Sequence, residues 1–374
     1  MKFNFSGEQE EFRTNLRRFL AEKSPSKEVR RLMETDAGWE RDGWRKMNQE
    51  LGLTAVRIPE AYGGHGFGFG ELGIVLEEMG RALVCAPYFS TAVLAAGAIL
   101  NAGTEAQKQA LLPGIASGDI IATLASTEDG GSWDAAATTL VATPSGDGYR
   151  LDGHKSFVLD GHTADLIVVL GLAGDAGLSF FTVAGDAAGL DRRLLKTMDP
   201  TRKMARLTFS SVQAKLLGEA GAAAAPFAKT MTEAAVCLAN EMVGGAERLR
   251  EDALAYAKMR MQFGRAIASF QSMKHKSADM LLEVELAKSA AYYAAAALDD
   301  GDSDVTAVAS LAKACASDTY MQTAIHAIQI HGGIGFTWDN DTHLWFKRAK
   351  SSEVLFGDAG HHREQMMRHW GAAA

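Results

Sequence analysis

The chain has 374 residues, with 38 Lys and Arg against 46 Asp and Glu and a formal charge of -8. That length is enough for two or three packed units with a large core, and the acidic balance repels nucleic acid and anionic lipid, so a phosphate-bearing ligand needs a locally basic pocket. Cys85, Cys237 and Cys315 are an odd number, widely spaced and without a CxxC pair, which excludes a disulfide framework and a zinc site from the expectation. The N-terminus spreads charge through MKFNFSGEQEEFRTNLRRFL and no apolar run approaches a membrane span. The expected protein is soluble, unexported and cytoplasmic, with no metal and with neither nucleic acid nor membrane among its partners.

From residue 7 to about 118 the sequence reads as helices. Leu72, Val75, Leu76 and Met79 recur at helical spacing, and the glycines of GGHGFGFG punctuate the chain before them. No strand feeds that glycine run and no Lys-Ser or Lys-Thr follows it, so its role is a turn or close helix packing rather than a phosphate loop. Between about 120 and 215 the period changes: IIATLAST, YRLDGHKSFVL, ADLIVVLGL, LSFFTV and ARLTFSSV are short β-rich runs separated by turn residues such as Pro144-SGDG. After Gly221-AAAAPF long helices return. Met280, Val284, Ala287 and Ala291 mark one apolar face, and Val308, Leu311, Ala314, Met321, Ile325 and Ile328 another. YYAAAALDDGDSD is a helix end running into an acidic, solvated turn. The expected divisions are 1-118, 119-222 and 223-374.

Two C-terminal segments carry chemistry. In Tyr256-AKMRMQFGRAIASFQSMKHKSADM a helix bearing Arg260 breaks at Phe263-Gly264 and restarts near Gln271. Arg offers a fork for a pyrophosphate, Phe a face for a ring and Gln a polar amide; the alternative is a surface Arg at a solvated break. In Ile328-QIHGGIGFTWDNDTHLWFKRAK, Gly332 and Gly333 let backbone N–H groups approach a phosphate or adenine, with Gln329 one turn earlier. The alternative there is a plain glycine helix cap.

RMQFG followed by FQ and ADM, together with QIHGGIGF, resembles the paired signatures of the acyl-CoA dehydrogenase superfamily. GWRKMNQELGLTAVRIPEAYGGHGFGFGELGIVLEEMGRAL resembles its N-terminal helical domain, ASTEDGGSWD its TEPGAGSD motif and HKSFVLDGHTADLIVV the strands that follow, over about residues 5 to 370. The resemblance implies an α+β fold: an N-terminal helical domain, a central antiparallel β-barrel-like domain and a C-terminal four-helix bundle, with FAD carried between the β-domain and the C-terminal helices. It implies that Arg260, Phe263 and Gln271 contact the FAD of a partner subunit and that Gln329, Gly332 and Gly333 approach the same adenosine-diphosphate portion. Thr127 matches a Thr that faces the flavin. Phe157 falls where a Trp often packs beside the flavin ring, and Leu159 where a Thr often bonds to it, so a side-chain hydrogen bond is lost there.

The implied reaction removes the α-proton of an acyl-CoA with a carboxylate while the β-hydrogen leaves as hydride to the flavin. The α-carbon is a weak acid, so a Glu or Asp of raised pKa is required. The family's usual position falls on Phe356 in Val354-LFGDAGHH, and a second position falls near Ala234 beside Glu233. Glu241 in Ala239-NEMVGGAERL is the best remaining base, with a structural ion pair as the alternative. Asp358, near His361, is a weaker candidate and also a helix cap. LFGDAGHHRE, FVLDGHTAD and MDPTRKMARL resemble a divergent bacterial branch acting on bulky CoA esters such as sterol-derived or aromatic acids, often as α2β2 heterotetramers. The resemblance therefore implies a homotetramer or a heterotetramer with a homologous subunit, an electron-transfer flavoprotein as acceptor, and either an active dehydrogenase or a catalytically silent subunit that completes a partner's FAD site. A flavin oxidase or monooxygenase on the same fold is a third possibility.

Overall fold

The structure, a computed structural model, describes residues 5–371. Six helices come first: α1 (Gly7–Lys23), α2 (Ser26–Met33), α3 (Arg41–Leu51), α4 (Phe69–Arg81), α5 (Ala96–Ala102) and α6 (Glu105–Ala116). α1 begins in a capping box. The Ser6 hydroxyl accepts the Gln9 N–H while the Gln9 side chain accepts the Ser6 N–H, which satisfies two donors that a helix start otherwise leaves orphaned. The glycine run ahead of α4 is a turn, as the sequence predicts. Gly63 and Gly66 lie at φ +81 and +67, and a Cβ on Gly64 would fall 1.8 Å from the Ile58 carbonyl oxygen, so no other residue lets the chain double back.

The strands are β1 (Ala122–Ala125), β2 (Val141–Ser145), β3 (Gly148–Leu159), β4 (Leu166–Leu172), β5 (Leu178–Ala184), β6 (Leu190–Leu194) and β7 (Met204–Leu217). β4 bonds β2, β2 bonds β3, β3 bonds β7, β7 bonds β5, and β5 returns to β4, so these strands close into a ring. The pairing is antiparallel except at β4, where β1 and the first residue of β2 both run parallel to it. Closure leaves few unpaired backbone groups. Alternation does the rest: Leu151, Val169, Phe181, Val183, Leu207 and Val212 point inward and are at most 1% exposed. Gly146, at φ +63, takes the first central position of the β2–β3 hairpin.

Then follow α7 (Ala224–Met259), a small hairpin of β8 (Met261–Gln262) and β9 (Arg265–Ala266), α8 (Gln271–Asp300), α9 (Val305–His331), α10 (Thr342–Val354) and α11 (Ala359–His369). The chain forms two compact units. One gathers the residues up to Arg30, Phe69–Val84 and everything from Ala235; the other gathers Arg31–Gly68 and Cys85–Ala234. α8 buries Met280, Val284, Ala287 and Ala291 as its spacing predicts, and stops at Gly301 in the left-handed region. α9 departs from the prediction. Leu311 is 45% exposed and Met321 and Ile325 are half-buried, whereas Ala312, Lys313, Ala316, Tyr320, Thr323 and Ala327 are buried. Val308, Ala314 and Ile328 of the predicted face are buried, but the buried face is wider than predicted and also takes in the large side chains of Lys313 and Tyr320.

In the first unit α4 and α7 meet backbone to backbone. A Cβ on Gly80 would lie 1.9 Å from the Glu241 carbonyl oxygen, and one on Gly244 would lie 1.9 Å from the Glu77 carbonyl oxygen. The approach buries Glu77, Glu78 and Glu241, and each is answered. Arg13 and the Tyr292 hydroxyl donate to Glu77 at 2.6 and 2.8 Å, Arg17 forks onto Glu78 at 2.8 and 2.6 Å, and Arg348 donates to Glu241 at 2.9 Å. A buried carboxylate deprived of such a partner is strongly destabilising. Gly244→Ala is expected to push the helices apart and cost about 1–3 kcal/mol, seen as a lower urea midpoint. Gly43→Ala, exposed on α3 with nothing near its Cβ, is expected to hold or slightly raise it.

Candidate active site

At one end of the first unit, the helix junctions bring the C-terminal motif residues together. α7 stops at Met259, and the β8–β9 hairpin turns at Phe263-Gly264, with φ +53 and +78, the positive-φ pair of a tight two-residue turn. Phe263 at its tip is 91% exposed. α8 restarts at Gln271, which is exposed like Arg260. Tyr256 near the end of α7 stacks on His331 at the end of α9, with centroids 4.4 Å apart, and Lys276 of α8 donates to Gln329 of α9 at 3.2 Å. Gly332 caps α9 at φ +66 and ψ -144, its N–H donating to the Gln329 and Ile328 carbonyls, in a region only glycine enters readily. A Cβ on Gly332 or Gly333 would meet nothing within 4 Å. The result is uncovered backbone at the end of α9, tied to α7 through the Tyr256–His331 stack and to α8 through the Lys276–Gln329 bond.

In the second unit the segment after β1 is stitched to the barrel by charge. Lys155 of β3, fully buried, donates to the Ser126 carbonyl and to Glu128, both at 2.9 Å. Thr139 and Leu140 give their N–H groups to the same carboxylate at 2.9 and 3.0 Å. Burial opposes the charge of Glu128, but the bonds from Thr139, Lys155 and Leu140 outweigh it and hold its pKa down to about 2. The Arg206 fork and the Ser156 hydroxyl hold Asp129 far below the carboxylate range. Lys155 in turn is pushed down by burial, with Glu128 resisting. The Thr127 carbonyl accepts the Ser156 N–H at 2.8 Å, at the irregularity where β3 shifts register against β7 between Lys155 and Val158. In that bulge Phe157 takes φ +57 and presents a ring that is 41% exposed; bulges re-aim side chains in this way. Thr127 and Phe157 thus flank one stitched bond. Leu159 is buried, and its carbonyl already accepts the Thr123 hydroxyl at 2.6 Å.

Each candidate base is engaged. Glu241 pairs with buried Arg348. Glu233 accepts from Arg57 at 2.9 Å and from Asn101 at 3.0 Å. Asp358 accepts the His361 N–H at 2.8 Å and caps α11, which lowers its own pKa. Phe356 is buried at φ +60. The residues that sequence reading missed are the cations: Lys155, Arg206 and Arg348. Lys155 had a legible signal, since alternation along HKSFVL turns it inward; Arg348 had one in its spacing from Trp345 and Ser352, both buried on α10.

The chain matches the acyl-CoA dehydrogenase N-terminal domain over residues 6–119, the middle domain over 123–212 and the C-terminal domain over 221–371. It belongs to the acyl-CoA dehydrogenase family. Among its relatives, acyl-CoA dehydrogenase IpdE2 of Mycobacterium tuberculosis is 31% identical, over 93% of this chain and 92% of that one. Cyclohex-1-ene-1-carbonyl-CoA dehydrogenase of Geobacter metallireducens is 32% identical, over 84% and 85%. The solved Tcur3481-Tcur3483 steroid ACAD variant superposes with a TM-score of 0.88 at 31% identity, covering 98% of this chain and 99% of that one. Enzymes of the family are FAD-dependent oxidoreductases. Gly332 and Gly333, where a Cβ would meet nothing within 4 Å, leave backbone open to the approach of such a cofactor. Among the described residues no helix is long and apolar enough to cross a membrane.

The Glu128 bonds make a pH prediction. Unfolded, the group titrates near 4.5, and here near 2, so the stability they add is complete above about 4.5 and disappears as pH falls through about 2. Urea midpoints followed from neutral pH into acid are expected to fall across that window, and Glu128→Gln is expected to start lower and flatten the decline.

Proposed function

We propose that this chain is the FAD-holding subunit of a dehydrogenase that removes the α and β hydrogens of a bulky acyl-CoA, with the α-proton taken by a carboxylate on a second, homologous chain. One observation carries this reading: Phe356 stands where the resemblance places the base, and Glu241 is bound by Arg348 at 2.9 Å. That bond engages one of the two Glu241 carboxylate oxygens and holds the group against a buried guanidinium. The paired chain names of the steroid ACAD relative support a two-chain assembly, and its substrate class, with the cyclohexene-carbonyl-CoA relative, supports a ring-bearing acyl group. An electron-transfer flavoprotein is the proposed acceptor.

In this reading Arg260 offers its fork to the pyrophosphate, Phe263 and Gln271 reach the FAD of the neighbouring subunit, and Gln329 with the N–H groups of Gly332 and Gly333 meets the adenosine-diphosphate portion. Thr127 and Phe157 stand beside the flavin ring, and Leu159 contributes packing only. When bound, FAD supplies the two-electron acceptor for the β-hydrogen. The residues of this chain bind it, orient it and keep water from its ring.

Phe263→Ala is expected to weaken FAD retention by about tenfold, measured as flavin per protein after gel filtration. Isolated chain is expected to stay unreduced by acyl-CoA under anaerobic conditions, and to be bleached once co-purified with its partner. Glu241 as the base is the second reading, favoured by its burial on an apolar helix. Glu241→Gln in the assembled protein separates the two. An unchanged reduction rate supports a base on the other chain, whereas a loss of about 10²-fold or more assigns the role to Glu241.

A further inference from the structure

Between α10 and α11 the chain makes a turn, Leu355–Asp358, that is held far more firmly than a connection requires. Phe356 lies at φ +60 and Gly357 at φ +105. A bulky residue persists in the left-handed region only where its surroundings over-determine it. They do so here. Lys313 of α9 is fully buried, and its ammonium donates to the carbonyls of Gly357 at 3.0 Å and Glu353 at 3.2 Å and to the Ser317 hydroxyl at 3.0 Å. His362 of α11 sits with Nε2 3.1 Å from the Phe356 carbonyl, so that nitrogen carries the proton and Nδ1 is left to accept from the Ser310 hydroxyl at 3.4 Å. Burial, reinforced by the Lys313 charge, pushes His362 down to about 3, so the ring stays neutral and keeps this tautomer. A Cβ on Gly357 would meet the His361 ring at 2.4 Å. A buried ammonium, a buried imidazole and a glycine at positive φ thus hold the turn that carries Phe356.

We propose that Phe356 is the specificity-determining wall of the acyl site, and that Lys313 and His362 are the positioning residues that fix its ring. The inference rests on the reading that places this turn at the reacting end of the acyl-CoA. The turn fixes where the apolar Phe356 side chain is held, and a fixed ring suits a rigid alicyclic acyl group better than a flexible straight chain whose rotors must be ordered on binding. Neither Lys313 nor His362 needs to touch the substrate; each acts through a backbone carbonyl of the turn.

The test uses the assembled, FAD-loaded protein and two non-oxidisable thioethers of equal carbon count, S-(cyclohexylmethyl)-CoA and S-heptyl-CoA, with affinities measured by calorimetry. Wild type is expected to prefer the cyclic ligand, and Phe356→Ala to shrink that preference at least about fivefold. Lys313→Met and His362→Ala are expected to shrink it in the same direction at unchanged flavin content. His362→Gln, which keeps a donor for the Phe356 carbonyl, is expected to restore most of it. Equal binding of the two ligands by wild type, or an unaltered preference in Phe356→Ala, overturns the proposal. So does an unaltered preference in His362→Ala or Lys313→Met alongside a lowered thermal midpoint, which would mark a merely structural role. Should Lys313→Met fail to fold, the His362→Ala and His362→Gln pair decides. Failure of every acyl-CoA to reduce the flavin, with the ligand preference intact, would sink the dehydrogenase reading and leave this one standing.

Discussion

The contact between α4 and α7 sets the terms for the first unit. Two glycines, Gly80 and Gly244, each face a carbonyl of the other helix at a distance no Cβ tolerates, so the two backbones lie closer than side chains usually allow. Carboxylates on both helices are carried into the interior by that approach. Each then requires a guanidinium, and the sources are dispersed: Arg13 and Arg17 on α1 and Arg348 on α10. The ion pairs are therefore a consequence of the helix crossing rather than independent additions, and they recruit α1 and α10 to it. Glu241 belongs to this set, and its neighbours explain its state better than its place in any motif does.

The second unit solves a different problem with similar means. Its barrel has an apolar interior of alternating residues, with large side chains such as Phe181 and Leu207 fully buried. One cluster of charge lies on the segment after β1, where Lys155, Glu128, Asp129 and Arg206 stitch the chain to β3 and β7. Burial there weakens Lys155 as an acid-bound cation while its bonds strengthen Glu128 as an anion. The physical role of the pair is to fix the backbone of Thr127 and the bulge that turns Phe157 outward.

Much of this was legible in the residues themselves. The glycine turn before α4, the hairpin at Gly146, the break at Phe263-Gly264 and the end of α8 at Gly301 each follow from local backbone chemistry, and local chemistry is what a sequence states directly. The parallel pairing of β1 with β4 was not legible, because nothing in the alternation of either strand distinguishes a parallel neighbour from an antiparallel one. The buried face of α9 was legible only in part, at Val308, Ala314 and Ile328, because an apolar periodicity gives no weight to a buried Lys313, to Tyr320 or to alanines such as Ala312 and Ala316. The resemblance put Phe356 at the base position and left Glu241 as the remaining candidate, but the partner that engages Glu241 is Arg348, 107 residues away. No spacing rule reaches that far.

The alanines have a consequence for how this protein can vary over time. In α8 and α9 the buried positions are largely Ala287, Ala291, Ala294, Ala297, Ala312, Ala316, Ala324 and Ala327. A core of leucines loses contacts when mutated to something smaller and can often relax around the gap. A core of alanines has almost nothing left to lose, and nearly every change open to it adds volume to a filled interior. Drift in these helices is thus biased against growth: the interior can exchange alanine for glycine or serine at modest cost, but accepts a larger side chain only if a neighbouring helix moves. Diversity among relatives should accumulate in the barrel and in the turns, while these two helices change slowly and in concert.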